Sequence, residues 1–403
     1  MINVAVFGYG TVGSGVVEVL DRNSDIIAKR VGEEVDVKYI LDLRDFPGDK
    51  FESKVTHDVE TILNDTDIRI ICETMGGLKP AYDFTKRALM KGISVCTSNK
   101  ELVAAYGPEL ISIAKQNNCN YLFEASVGGG IPIIRPINEA LTAENIDCIQ
   151  GILNGTTNYI LSKMENEGAD FDEVLKEAQE KGYAERNPEA DVEGYDACRK
   201  IAILSSLVYG KTVNYEDIHT EGITKITPRD FEYAAKMNMT IKLIAMAKAT
   251  DAGRFAFVSP RMVSNDSPLA SVKDVFNAIF VHSDMLGDSM YYGRGAGKLP
   301  TASAVVGDVV EAARNIGKNL WCIWDNEKAS LSDSGLLEQR YFVRVKGDMD
   351  AMKATILKSF RNAEFVDLDT ADDEFAFVTE NISENTYNDA IKGVDGVIGM
   401  IRI

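Results

Sequence analysis

The chain has 403 residues, with 62 acidic against 43 basic side chains and a formal net charge of −19. Hydrophobic and charged residues make up 45% and 26% of it. That balance belongs to a globular protein and excludes a mostly disordered chain, a collagen-like chain and a small disulfide-stapled scaffold. At roughly 100–200 residues per domain the length implies two or three domains, and the negative field repels phosphate backbones, so neither nucleic acid nor an anionic membrane surface is expected as a partner.

Residues 2–7 (INVAVF) are a short apolar run ending at a glycine cluster, which predicts a buried parallel strand. Residues 11–22 carry Val12, Val16, Val19 and Leu20 at helical spacing. Strands are predicted over 35–41 (VDVKYIL), 68–74 (IRIICET) and 93–97 (ISVCT), with a helix near 80–91 that ends at Gly92. Strands alternating with helices of this length imply a parallel sheet with helical crossovers. No basic and apolar leader precedes the first strand, no run of about 18 apolar residues occurs, and the six cysteines form neither a CxxC pair nor a zinc-like cluster. The expectation is a cytoplasmic protein with free thiols.

After about residue 135 the texture changes. A helix is predicted over 171–181, with Asp170 to cap it and Gly182 to end it, and another over 195–209, with Ile201, Leu204 and Val208 on one face. Residues 229–249 read as helical throughout, and the polar stretch 325–339 reads as a linker. From about 340 the order is YFVRV, a helix at 350–360, EFVDL, EFAFVTE, a helix at 384–393 and VIGMIRI. Strand–helix–strand–strand–helix–strand is a ferredoxin-like pattern.

Gly8-Tyr9-Gly10-Thr11-Val12-Gly13 is a GxGxxG that follows a strand and opens a helix, the context a dinucleotide-binding turn requires. Gly8 allows the tight turn, Gly10 lets backbone approach a pyrophosphate, and Gly13 lets helix and sheet pack closely. Asp42 ends the second strand, where a carboxylate accepts from a ribose 2′-hydroxyl and favours NAD; Arg44 nearby is suited to a 2′-phosphate, so NAD and NADP both stay open. Ser98 and Glu101 have capping-box spacing, which puts Lys100 in a first helical turn, a poor place for a cation by the helix dipole and so a hint of function. Asp196 and Lys200 are four apart on one helix face, after an acidic segment with Glu185, Asp191 and Glu193 suited to a substrate ammonium. In EASVGGGIPII (124–134) three glycines free the backbone to approach a ligand or to turn carbonyls onto a hard cation. The plain alternatives are a ligand-free glycine turn, a flexible loop and solvated surface charges. Of His57, His219 and His282 none sits in a readable motif, which leaves lysine, whose pKa falls when it is desolvated or set beside another cation, as the acid/base candidate.

Together these segments resemble the homoserine dehydrogenase family. The resemblance is carried by GYGTVG at 8–13, TSNKELVA at 97–104, EASVGGGIPII at 124–134, NGTTNYIL at 154–161, EKGYAERNPEADVEGYDACRK at 180–200 and GAGKLPTASAVVGDVV at 295–310, in the family's order. It implies an α/β protein with a Rossmann domain over 1–134 and a returning segment near 295–320. An α+β substrate and dimerisation domain with a mixed sheet would span 135–324, and a ferredoxin-like (ACT-like) regulatory domain 340–403. The implied reaction is NAD(P)-dependent interconversion of L-homoserine and L-aspartate 4-semialdehyde, on the route to threonine, methionine and isoleucine, by a homodimer or homotetramer. By the same resemblance Lys200 and Lys100 are catalytic, and Glu185, Asp196 and Lys100 hold substrate. The cofactor falls to Gly8, Gly10, Thr11, Val12, Gly13, Asp42, Arg44, Thr74, Ser98, Lys100, Gly182, Glu185 and Gly295, and a monovalent cation (Na+) to carbonyls of Glu124, Val127, Gly129 and Ile131. Two places depart from the family pattern. Arg294 stands where a small residue or proline is expected, and Gly347-Asp348-Met349-Asp350 replaces the Asp-x-Pro-Gly turn of an ACT ligand loop, which leaves the effector, threonine or another amino acid, open. The rival readings are another NAD(P)-dependent amino-acid dehydrogenase and a non-enzymatic nucleotide and amino-acid sensor.

Overall fold

The structure is a computed structural model that describes residues 1–371 and 373–403. The chain forms two compact units, the first made of 1–145, 202–215 and 291–329, the second of 146–201, 216–290 and 330–403.

The first unit is built on β1 (Ile2–Phe7), α1 (Thr11–Arg22), α2 (Ser24–Val31), β2 (Val35–Leu41), β3 (Val55–Thr56), α3 (Val59–Leu63), β4 (Ile68–Glu73), α4 (Ala81–Met90), β5 (Ser94–Thr97), α5 (Lys100–Gln116) and β6 (Tyr121–Leu122). The sheet order is β3-β2-β1-β4-β5-β6 and every pair is parallel. In β1 all residues but Asn3 are buried, as a central strand covered on both faces demands. Val16, Val17 and Leu20 of α1 share one core with Val4 and Val6 of β1 and with Ala302, Val305, Val306 and Val309 of the helix Lys298–Arg314. The order reverses between β1 and β4, and in open parallel sheets a ligand crevice opens at that switch, beyond the carboxyl ends of the strands.

The second unit opens with β7 (Ile146–Ile152), α6 (Gly155–Glu167), α7 (Phe171–Glu180), α8 (Glu189–Val192) and the start of α9 (Tyr195–Tyr209). Its sheet is mixed. The long hairpin Met239–Thr250 and Gly253–Ser264 pairs antiparallel with β7, and β7 with Phe276–Ser283. On the far side Arg261 pairs parallel with Arg402, which continues the sheet through Val397–Arg402, Tyr341–Lys346, Glu374–Val378 and Glu364–Val366. Residues 341–402 thus form strand–helix–strand–strand–helix–strand, closed over Tyr341, Val343, Val345, Ile356, Phe360, Phe375 and Phe377.

Three local expectations change. The helix predicted over 229–249 stops at Lys236; Asn238 takes φ 57° and turns the chain into the strand Met239–Thr250. Its lysines, methionines and alanines have helical preference, but with a partner strand along each edge the ladder hydrogen bonds and burial override it. The linker at 325–339 contains a short strand, Asp325–Lys328, paired with Lys211–Thr212. Asp170 occupies the cap position of α7, but its side chain accepts no bond from the helix.

The strand Met239–Thr250 buries Lys242 completely, its Nζ donating to Val272 O at 2.9 Å. Burial lowers its pKa to about 8. Between that value and the ordinary lysine range the unfolded chain binds a proton that the folded one releases, so this lysine makes stability rise with pH through the interval. Urea unfolding from pH 7.5 to 10.5 is expected to show a rise of up to roughly 3 kcal/mol from this group. In Lys242→Met the rise should vanish; an unchanged slope would count against the assignment.

Candidate active site

The first turn after β1 carries the nucleotide-binding geometry. Gly8 has φ 90°, and Gly10 precedes α1 with no side-chain cap, which leaves the first-turn N–H groups to an anion. A Cβ on Gly13 would lie 1.9 Å from the Gly8 carbonyl oxygen and 2.7 Å from Thr74 Oγ1, whereas one on Gly10 would meet nothing within 4 Å. Thr74, just past β4, donates through Oγ1 to the carbonyls of Phe7 and Gly8, both at 3.0 Å, and so ties the two sides of the switch point together. A cavity of ≈ 680 Å³ opens there, lined by Gly8, Gly10, Asp42, Arg44, Thr74 and Gly76 among others. The open cradle at Gly10 and this volume fit a dinucleotide. Thr11, Val12, Gly13, Ser98, Lys100 and Gly295 stand outside the lining.

Asp42 and Arg44, read from the sequence as opposed determinants, are paired with each other. Arg44 Nε and Nη2 donate to the two Asp42 oxygens at 2.9 and 3.0 Å, and the Tyr9 N–H donates to Oδ2 at 2.8 Å. The guanidinium holds the Asp42 carboxyl well below the usual carboxylate range. Arg44 itself is largely exposed and lies over the Phe46 ring at 5.1 Å.

Lys100 is the first residue of α5, but Asn99 rather than Ser98 caps that helix, its Oδ1 accepting from Leu102 N–H at 3.1 Å. The expected Ser98–Glu101 box is therefore replaced by a cap one residue later, on the extended backbone of Asn99.

The second unit gathers the acidic segment and its lysine. Lys200 Nζ lies 2.7 Å from Asp196 Oδ2 and donates to the Leu153 carbonyl at 2.7 Å. The two side chains share a face of α9, and both residues are buried, Asp196 5% and Lys200 8% exposed. Asn154, which caps α6, donates from Nδ2 to Asp191 Oδ1 at 2.7 Å and to Asp196 Oδ2 at 2.9 Å. Gly182 (φ 72°) and Glu185 lie instead in the exposed turn after α7, where Gln179 Nε2 donates to the Glu185 carbonyl at 3.1 Å. Spacing along the chain singles out neither Asn154 nor the Leu153 carbonyl. Asn154 opens the legible NGTTN run and Leu153 stands just before it, but an asparagine cap gives no sign of which carboxylates it will meet.

Glu124, Val127 and Ile131 are buried, and a Cβ on Gly129 would lie 2.3 Å from the Gly295 carbonyl oxygen, so the two glycine-rich turns touch backbone to backbone. The Glu124 carboxylate accepts from the N–H groups of Ile133, Ile134 and Arg135 at 2.5, 2.8 and 2.8 Å. It is committed to backbone donors, so a cation at this loop would have to be held by carbonyl oxygens.

Sheet, turn and cleft together define an α/β protein of the dinucleotide-binding class. The family model described as "Homoserine dehydrogenase, NAD binding domain" matches residues 8–124, and "Homoserine dehydrogenase" matches 132–310. The homoserine dehydrogenase of Bacillus subtilis is 36% identical over 98% of this chain and 95% of its own. The crystal structure of a homoserine dehydrogenase from Thiobacillus denitrificans superposes with a TM-score of 0.89 at 34% identity, covering 100% of this chain and 97% of that one. A hyperthermophilic archaeal homoserine dehydrogenase mutant in complex with NADPH gives 0.65 at 31% identity over 77% of this chain and 97% of its own. The chain belongs to the homoserine dehydrogenase family and is an NAD(P)-dependent oxidoreductase.

The glycine geometry separates folding from binding. Gly13→Ala forces its Cβ into the Gly8 carbonyl and is expected to cost roughly 1–3 kcal/mol of stability as well as dinucleotide affinity. Gly10→Ala meets open space and should leave the thermal midpoint near wild type while weakening reduced dinucleotide by about tenfold, read by fluorescence titration. Equal affinity for wild type and Gly10→Ala would refute the cradle.

Proposed function

We propose that the chain interconverts L-homoserine and L-aspartate 4-semialdehyde with Lys200 as the proton-transfer group. The observation that carries this is the buried Lys200–Asp196 pair anchored on the Leu153 carbonyl. Two of the three ammonium N–H directions go to Asp196 and Leu153, and the third is offered to the substrate oxygen. Nicotinamide, when bound, supplies or accepts the hydride. As the aldehyde carbon is reduced, charge grows on its oxygen; Lys200 stabilises that charge and donates the proton, and in the reverse direction takes it from the hydroxyl. Glu185 and Asp196 hold the substrate ammonium. Lys100 adds a second positive charge for the substrate and the cofactor, and Ser98, Gly182, Glu185 and Gly295 complete the cofactor set.

At the cofactor's adenosine end Arg44 is the movable partner. Freed from Asp42 it pairs with a 2′-phosphate, and the carboxylate left behind accepts from a 2′-hydroxyl, so the pair accommodates NADP as well as NAD. The loop 124–131 would hold a monovalent cation through the carbonyls of Glu124, Val127, Gly129 and Ile131, since the Glu124 carboxylate is already spent.

Residues 340–403 are proposed to act as an ACT-like module for an amino-acid effector. The reading is supported by a bonded path within the second unit. Arg402 Nη1 and Nη2 donate to the Glu221 carboxylate at 2.7 and 2.8 Å, and two residues on, Ile223 N–H donates to Val192 O at 2.8 Å, beside Asp191 and its Asn154 partner. The working protein is proposed as a cytoplasmic homodimer or homotetramer; its six cysteines are free thiols.

Lys200→Ala is expected to lower kcat for homoserine oxidation by about 10²–10⁴, followed as reduced-nicotinamide absorbance; a loss under about tenfold would sink the assignment. Arg44→Ala should weaken NADP by about fivefold or more and change NAD by under about twofold, and equal effects on both would remove Arg44 from cofactor selection.

A further inference from the structure

Glu73 is a buried carboxylate that the reaction above leaves without a role. It ends β4 at the switch point of the sheet and has no exposed surface. A carboxylate hidden from water is costly unless its oxygens are hydrogen-bonded. Here the Met75 N–H donates to Oε1 at 2.9 Å and the Thr97 hydroxyl to Oε2 at 2.6 Å. Burial pushes its pKa up, and these neutral donors, with the Asn99 side chain and the Gly76 N–H, act against the rise.

The donors lead in two directions. Met75 and Gly76 belong to the turn after β4, which lines the dinucleotide cavity together with Thr74. Thr97 ends β5; its oxygen accepts the Asn99 N–H at 2.9 Å, so its single proton is committed to Glu73. Asn99 caps α5 at Leu102 N–H, and its Nδ2 donates to the Gly77 carbonyl at 2.7 Å, which joins the two turns again. The residue after that cap is Lys100.

We propose that Glu73 is a positioning residue that locks the floor of the dinucleotide cleft and the start of the Lys100 helix into one frame. The inference rests on reading the cleft as the dinucleotide site and Lys100 as a residue that acts on substrate. An amide offers one acceptor oxygen and an NH2 with two N–H donors in place of two acceptor oxygens, so it can keep the Met75 bond as it is but can meet Thr97 only by reversing that bond. The Met75 N–H is fixed in the backbone while the Thr97 hydroxyl can turn. In Glu73→Gln the amide oxygen therefore stays with Met75 and the NH2 donates to Thr97 Oγ1. That takes the acceptor from the Thr97 proton and replaces a bond to a carboxylate by a weaker neutral one, loosening the Lys100 arm and sparing the cleft floor. Thr97→Val cuts the same arm from the other side, and Thr97→Ser retains it.

The test uses the full-length chain with homoserine and NAD or NADP, and fluorescence titration with the reduced dinucleotide. Glu73→Gln and Thr97→Val are each expected to lose about tenfold or more in kcat while the affinity for reduced dinucleotide stays within about threefold. The double variant should be no slower than the slower single one, because both break one linkage. Thr97→Ser should keep wild-type kcat, a rescue that a purely structural side chain would not give. Wild-type kcat in a folded Glu73→Gln or in Thr97→Val, or losses that multiply in the double variant, would overturn the proposal. Should Glu73→Gln fail to fold, the Thr97 pair decides it alone. A wild-type chain that binds no reduced dinucleotide would overturn the cleft reading itself, and this inference with it.

Discussion

The approach of two backbone segments at the switch between β1 and β4 governs the first unit. Gly13 sits so close to the Gly8 carbonyl that no side-chain carbon fits, and the Thr74 hydroxyl clasps the carbonyls of Phe7 and Gly8 across the same point. That contact sets where α1 starts, and so where its first-turn N–H groups and positive dipole end stand. It also brings the α1 face carrying Val16, Val17 and Leu20 into a common core with the helix Lys298–Arg314. Cleft and core therefore depend on the same few ångströms of glycine backbone.

A second theme is the use of carboxylates as internal fasteners. The chain carries a net charge of −19, yet several acids face inward. Glu73 gathers donors from two turns, Glu124 accepts three consecutive backbone N–H groups, and Asp308 accepts the Glu124 N–H and an Arg135 guanidinium. In the second unit Asp196 joins Asn154 to Lys200. Each is buried against donors whose positions it fixes, and a carboxylate with several lone pairs can collect separate segments where an amide or hydroxyl would satisfy fewer. The cost of hiding the charge is offset where these bonds are complete.

The second unit ties its acidic segment to its distal strands through polar side chains as well as through its sheet. Arg402, in the last strand, is buried and salt-bridged to Glu221 and Glu384. Burial would lower its pKa, but the two carboxylates outweigh that and keep it charged. Breaking either pair would leave a buried guanidinium short of a partner, so these bonds fasten the terminal strand to the segment at Glu221.

By itself the sequence determined the parallel sheet with its glycine-rich turn, the helix that aligns Asp196 with Lys200 and the split pattern of the last sixty or so residues, because period, spacing and capping chemistry are local properties of the chain. It also exposed the family through a series of motifs in one order, which is specific where no single motif is. The tertiary structure alone decided that Met239–Thr250 is a strand, since partners on both edges outweigh helical preference. It decided that Asp42 and Arg44 hold each other, and that Asn154, Leu153 and Glu73 take part at all. Asn154, Leu153 and Glu73 draw their roles from side chains dozens of positions away or from backbone groups common to every residue type, and Asp42 and Arg44, only two positions apart, are joined by side-chain orientations; no spacing along the chain records such partners.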